Sequence, residues 1–172
     1  MRKIYLPLSK ETIEDLRIGD EVLLTGTIYT ARDQAHKRFF ELLKKNKKLP
    51  VDLKAQTIYY CGPTAARPGN AIGSCGPTTS SRMDAFTPAL LKTGLKGMIG
   101  KGSRSKEVIS AIKKYKAVYF LAVGGAGAYL SKKVKRARVA VFKDLGPEAV
   151  YELSVKDFPV IVGIDSTGRS IY

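Results

Sequence analysis

Acidic residues, side-chain amides and cysteines are all scarce in this chain of 172 residues. Two cysteines, Cys61 and Cys75, cannot build the disulfide framework of a small secreted domain. No apolar run approaches the roughly 20 residues that a membrane span needs. The start, Met1-Arg2-Lys3-Ile4-Tyr5-Leu6-Pro7, lacks the apolar stretch and small-residue cleavage site of a secretory leader. These absences lead us to expect a soluble, cytoplasmic protein. Asparagine occurs only as Asn46 and Asn70 and glutamine only as Gln34 and Gln56, while lysine is abundant. Such depletion of thermolabile amides resembles a hyperthermophile bias. Asp and Glu total 15 against 30 Lys and Arg, a net charge of +15 that predicts attraction to something anionic. Nucleic acid, an acidic partner protein and an acidic small substrate are the candidates, and part of the charge can be thermophile bias alone.

At 44% hydrophobic the chain can bury a core, and its length fits one domain, residues 1–172. Arg2 to Leu8 reads as a strand, and Ser9 caps a short helix. Ile18-Gly19-Asp20 is a turn and Glu21 to Thr30 a strand. A helix follows from about Ala31 to Lys45, with Ala35, Phe39, Leu42 and Leu43 on one face. Lys44, Lys45, Lys47 and Lys48 suit the negative end of its dipole. Further strands are expected at Gln56–Cys61, Gly97–Gly100, Ala117–Val123, Arg138–Phe142 and Pro159–Asp165. Helices are expected over Met83–Leu95, from a Ser103 or Ser105 cap to Tyr115, after the Gly124–Gly127 turn, and from Pro147. Alternating strands and helices with short connections argue an α/β layered domain.

Several motifs reduce to simpler readings. Gly124-Gly125-Ala126-Gly127 has a strand before it and a helix after it, but Leu130 stands where a dinucleotide fingerprint needs Gly or Ala. Gly100-Lys101-Gly102-Ser103 ends like a phosphate loop, but Gly102 replaces Ser or Thr and Leu95 the leading glycine. Cys61, Cys75 and the single histidine, His36, match no zinc spacing. The basic clusters at Lys44–Lys48 and Lys132–Arg138 lack the interleaved aromatics of an RNA-binding sheet, and no helix-turn-helix or zinc finger is present.

Three segments carry more chemistry. In Thr30-Ala31-Arg32-Asp33-Gln34-Ala35-His36-Lys37, Arg32 stands at a helix start, where a cation opposes the dipole and Asp33 offsets it. Either a structural salt bridge or an anion site accounts for it. His36 lies one turn on, on the same face. In Gly73-Ser74-Cys75-Gly76-Pro77-Thr78-Thr79-Ser80-Ser81-Arg82-Met83-Asp84, four hydroxyls run into a helix start. They can aim at a small anion, and Arg82 offers a planar fork to a carboxylate. Helix capping needs only one or two such hydroxyls. In Gly100-Lys101-Gly102-Ser103-Arg104, the lysine sits between glycines and can meet a ligand closely.

Together, TARDQAHK (Thr30–Lys37), CGPTTSSRMD (Cys75–Asp84) and GKGSR (Gly100–Arg104) resemble the β subunit, or C-terminal part, of iron–sulfur (class I) fumarate hydratases and the related tartrate dehydratases. The likeness runs through nearly the whole chain. It implies a swivelling β/β/α domain and a hydro-lyase that interconverts fumarate and (S)-malate, active only with an α subunit. The [4Fe–4S] cluster is then held by three cysteines of that α subunit and not by this chain, in an α2β2 assembly. By motif match Arg32, Arg82 and Lys101 bind substrate carboxylates and Thr78 is the base. An acidic side chain of the α subunit assists the departing hydroxide.

Two carboxylates taken out of water require several fixed cations, which fits the three basic residues. A hydroxyl is a poor base unless cations stabilise its alkoxide, so His36, with an ordinary pKa of about 6.5, is the rival. Fumarate and tartrate chemistry differ by one substrate hydroxyl, so tartrate dehydratase is the alternative activity. A basic nucleic-acid-binding module is the alternative of another class.

Overall fold

The structure is a computed structural model describing residues 1–172. Its strands are β1 (Arg2–Tyr5), β2 (Glu21–Thr30), β3 (Thr57–Tyr59), β4 (Gly97–Gly100), β5 (Val118–Leu121), β6 (Val134–Val141) and β7 (Val150–Ile164). Its α-helices are α1 (Lys10–Asp15), α2 (Asp33–Lys44), α3 (Thr87–Lys92), α4 (Lys106–Tyr115) and α5 (Gly127–Ser131). None is long and apolar enough to cross a membrane.

β2, β3, β4 and β5 pair in parallel in that order, and β7 pairs antiparallel with both β5 and β2. That double pairing closes the sheet into a small ring, with β1 added on β2 and β6 on β7. The α/β class expected from the sequence therefore holds, in a mixed form whose sheet forms a barrel-like ring.

Period-2 alternation divides the ring strands between two cores. Leu24 and Ile28 of β2, Tyr59 of β3, Ile99 of β4, Phe120 of β5 and Leu153 and Val162 of β7 share one buried cluster. Their sequence neighbours Ile58, Met98 and Tyr119 face the other way, into a second cluster with Phe39 of α2, Leu90 of α3 and Ile112 of α4. α2, α3 and α4 thus cover one side of the ring, while Ile13 of α1 and Leu130 of α5 join the first cluster. Ser9 caps α1 by accepting from the Thr12 N–H, and Ser105 caps α4 by accepting from the Val108 N–H.

Four segments differ from the sequence reading. No helix starts at Pro147: a 3₁₀ segment over Lys143–Glu148 leads directly into the fifteen-residue β7. Val150, Leu153 and Val155 are buried there, because β6 and β2 flank this stretch on either side. Met83–Leu95 is split into a 3₁₀ turn, Ser80–Met83, and the shorter α3. Pro88 in the first turn of α3 has no N–H to continue an earlier helix, and Gly94 with φ +104° ends it. β6 begins four residues before the expected Arg138, so Lys135 and Arg136 lie on a strand. Finally, β1 stops at Tyr5, before Pro7.

Candidate active site

β2, β3, β4 and β5 run in one direction, so Thr30, Tyr59, Gly100 and Leu121 all end at the same rim. Ligands of parallel sheets bind beyond the carboxyl ends of strands. The segments leaving that rim carry Arg32 after β2, Gly62 after β3, Lys101 after β4 and Gly124 after β5.

The hydroxyl-rich segment is drawn to the same rim by its backbone. The Thr78 N–H donates to the Tyr60 carbonyl at 2.6 Å, and Thr79 forms a parallel bridge with Lys101. The Ser80 N–H donates to the Lys101 carbonyl at 2.9 Å, while Ser80 Oγ accepts from the Lys101 N–H at 3.0 Å. This approach requires Gly100, since a Cβ there would lie 2.0 Å from Ser80 Oγ. Thr78 is half-buried, and its hydroxyl has no hydrogen-bond partner within the chain.

Arg32 precedes α2 and lies across Gly62, where a Cβ would come within 2.9 Å of its Cδ and Nη1. Its side chain is only 27% exposed, yet it makes no hydrogen bond. The carboxylates nearest its Nε are Asp33 at 3.7 Å and Glu148 at 3.9 Å, both beyond hydrogen-bond range. Arg82 is half-exposed, and its Nε donates to Asp33 Oδ1 at 2.9 Å. The terminal nitrogens of Arg82 have no partner, and the Lys101 ammonium forms no ion pair. Arg32 and Arg82, 50 residues apart, therefore converge on one carboxylate.

His36 is placed differently. It is 1% exposed, its ring set edge-on to Tyr60 at 5.4 Å between centroids and tilted against Phe86. Nδ1 lies 2.8 Å from the Arg32 carbonyl and must donate to it, which leaves Nε2 as a bare, unpartnered acceptor. Burial pushes its pKa down to about 4, helped by the nearby Arg104 charge.

Beneath the rim, Arg104 is wholly buried. Its Nε donates to Asp84 Oδ1 at 2.7 Å and its Nη2 to Thr87 Oγ1 at 2.8 Å. Its guanidinium lies between the rings of Tyr60 and Tyr119, at 5.2 and 4.9 Å. Tyr119 Oη sits 2.8 Å from both Ser80 Oγ and the Gly102 carbonyl. This lattice clips the Lys101 loop to the turn that bears Thr78 and Arg82. Sequence reasoning found Arg104 only as the end of a motif and missed Asp33 as the anchor of two arginines. The available signal was its position beside Arg32.

Cys61 and Cys75 are both fully buried, on the ring-interior side, away from His36. The neighbouring Cys75 thiol, together with burial, pushes the Cys61 thiol up. No group of three His, Cys, Asp or Glu side chains is positioned to hold a metal. A [4Fe–4S] cluster finds no ligand set in these residues.

Residues 1–172, the whole chain, match the family described as Fumarase C-terminus. The chain belongs to that family. It is 43% identical over 178 residues to a Methanocaldococcus jannaschii protein named for an L(+)-tartrate dehydratase subunit beta, covering 100% of this chain and 91% of the relative. The Escherichia coli K12 L(+)-tartrate dehydratase subunit beta is 34% identical over 99% of this chain and 87% of its own length. The anaerobic class I fumarate hydratase of E. coli K12 is 36% identical over 100% of this chain, but the match spans only 31% of that longer protein. The chain thus has the extent of a separate beta subunit and spans about a third of the class I fumarate hydratases it resembles. These relatives are hydratases and dehydratases, so the family is one of hydro-lyases.

Proposed function

We propose that this chain is the β subunit of a hydro-lyase that interconverts fumarate and (S)-malate, supplying the cations and the base to a site completed by a partner α subunit. The observation that carries this reading is the Arg32 guanidinium, three-quarters buried and without a hydrogen bond. Its Nε is buried with no acceptor, which is costly unless an anion offsets the charge, and the chain leaves its terminal nitrogens free to receive one. Arg82 and Lys101 present further open donors at the same rim, so three cations face a dianionic substrate with only Asp33 and Glu148 nearby to offset them.

In the direction from malate to fumarate, a proton leaves the methylene carbon, the carbon–carbon double bond forms, and hydroxide departs from the neighbouring carbon. Arg32, Arg82 and Lys101 hold the two carboxylates and thereby fix which carbon faces the base. Thr78 takes that proton, and the surrounding cations stabilise its alkoxide. His36 is the poorer choice: its one bare nitrogen is sealed in the core and its basicity is depressed. The [4Fe–4S] cluster that the resemblance implies is assigned to the partner α subunit. The α2β2 assembly and the swivelling β/β/α architecture belong to this same reading.

Tartrate is the second substrate to consider, favoured by the near full-length match to tartrate dehydratase beta subunits. The test is to co-express the chain with its α subunit and measure lyase activity on (S)-malate and L(+)-tartrate. Activity on malate is expected, with the isolated chain colourless and inactive. Preference for tartrate reassigns the substrate. Activity on neither, or a [4Fe–4S] spectrum reconstituted on this chain alone, overturns the reading. The nucleic-acid alternative rests on charge alone: Lys135, Arg136 and Arg138 are exposed on β6, where Arg138 is already paired with Glu152.

A further inference from the structure

Arg82 differs from the other arginines with hydrogen-bonded side chains, each of which commits at least one terminal nitrogen. Arg38 engages Asp144 through both terminal nitrogens, fork to fork. Arg104 commits Nε to Asp84, Nη2 to Thr87 and Nη1 to the Met98 sulfur at 3.9 Å. Arg82 instead bonds Asp33 through Nε alone. Arg32 turns its Nε toward the other oxygen of Asp33. That oxygen and the Arg32 Nε are both buried without a hydrogen-bond partner, 3.7 Å apart.

We propose that Asp33 is a positioning residue for dicarboxylate capture, bonding Arg82 at Nε and attracting the nearby Arg32 Nε, so that the terminal nitrogens of both are left for the ligand. This inference rests on the function proposed above. A guanidinium gripped at Nε keeps its two terminal nitrogens free, and held in place they present two donors to an incoming carboxylate. Two guanidiniums crowded at one rim also repel each other, and the Asp33 carboxylate between them offsets that repulsion. Asp33 is itself fixed as the first residue of the twelve-residue α2. The Ala31 N–H ties the preceding backbone to the Tyr59 carbonyl at the end of β3. Asp33 therefore transmits the rigid sheet edge to two long, otherwise mobile side chains. Arg104, Arg138 and Arg169 also use Nε in their ion pairs, but each commits a terminal nitrogen as well, and Arg38 commits both.

The test uses the complex with the α subunit and follows malate kinetics together with inhibition by succinate, a dicarboxylate that cannot eliminate water. Asp33→Ala is expected to raise KM and the succinate inhibition constant together by tenfold or more, with kcat changed less than about threefold. Asp33→Asn keeps an acceptor for Arg82 but no charge, and should fall between wild type and Asp33→Ala. It also serves if Asp33→Ala does not fold. Asp33→Glu restores the charge and should recover part of the lost affinity. In Arg82→Ala, removing Asp33 as well should cost much less than it does in the wild type, because the two act as a unit. If Arg82→Ala raises KM while Asp33→Ala and Asp33→Asn leave KM and the inhibition constant unchanged, the positioning role is wrong and the proposed function stands. If Arg82→Ala leaves KM unchanged, the proposed function fails first, and the role of Asp33 with it. A fall in kcat and melting temperature at constant KM would make Asp33 a merely structural residue.

Discussion

Arg82 and Arg104 lie 22 residues apart on adjoining pieces of one small structure, yet they use the same side chain in opposite ways. The Arg104 side chain has no exposure, engages Asp84, Thr87 and Met98, and is stacked between two tyrosine rings. Arg82 is half-exposed and engages one carboxylate through one nitrogen. Arg32 goes further: its side chain is mostly buried and hydrogen-bonded to nothing. The lower lattice is closed chemistry that holds loops together. The upper rim is open chemistry whose donors the chain itself leaves unfilled. Both layers come from the same short motifs, so composition alone cannot separate structural from functional arginines.

The difference is sharpened most by removing the proposed base, which touches only the upper rim. Thr78→Ala in the complex with the α subunit should lower kcat by about 10²- to 10⁴-fold with little change in KM. Its unfolding midpoint in denaturant should barely move, since the Thr78 hydroxyl bonds nothing in the chain. Near-normal kcat in this variant, with activity abolished in His36→Ala, would transfer the role to His36.

In the lower layer the expectation reverses. Asp84→Ala leaves the Arg104 charge buried without its counter-ion and removes the acceptor of the Ser105 N–H. Loss of a buried partner of this kind destabilises by about 3–5 kcal/mol. Urea unfolding of the isolated chain measures it, and a change below about 1 kcal/mol would show that the lattice is dispensable.

His36 lies between the two layers, beneath Arg32 and beside Tyr60. Its pKa is about 4 when folded and ordinarily 6.5, so between those values the unfolded chain binds more protons. Its contribution to stability is complete above about pH 6.5 and is lost as pH falls toward 4, reaching about 3 kcal/mol for a shift of that size. Urea midpoints measured from pH 7 to pH 4 should fall steeply in the wild type and less steeply in His36→Phe. Parallel curves would show that His36 titrates normally.

The smallest effect belongs to a cap remote from substrate. Ser105→Ala removes the acceptor for the Val108 N–H and should cost about 1 kcal/mol, read as a lowered melting temperature, with malate KM unaltered. A raised KM would mean that α4 and the Lys101 loop move as one piece.

Local elements were legible where local physics decides them. β2 and β4 have the limits read from their apolar patterns, and Ser9 and Ser105 cap the helices they precede. The stretch after Pro147 was read as helix because proline starts helices well. Its alternation of buried and half-buried residues becomes a strand only because β6 and β2 lie alongside, the latter more than 120 residues earlier. Among the site residues, Arg32, Thr78, Arg82 and Lys101 were singled out by motif and resemblance. Asp33 was read only as a dipole partner, because its contact with Arg82 spans 49 residues.

By itself the sequence determined the apolar periodicities, the capping serines, the surplus of positive charge and the motifs that mark the family. Short-range hydrogen bonding and side-chain spacing are written in neighbouring residues. Closure of the ring by β7, the separation of His36 from the open rim and the meeting of Arg32 and Arg82 at Asp33 were decided only by tertiary structure. Each depends on segments distant in the chain being brought together when the two cores are buried, and that burial removes water from some arginines while leaving the donors of others unfilled.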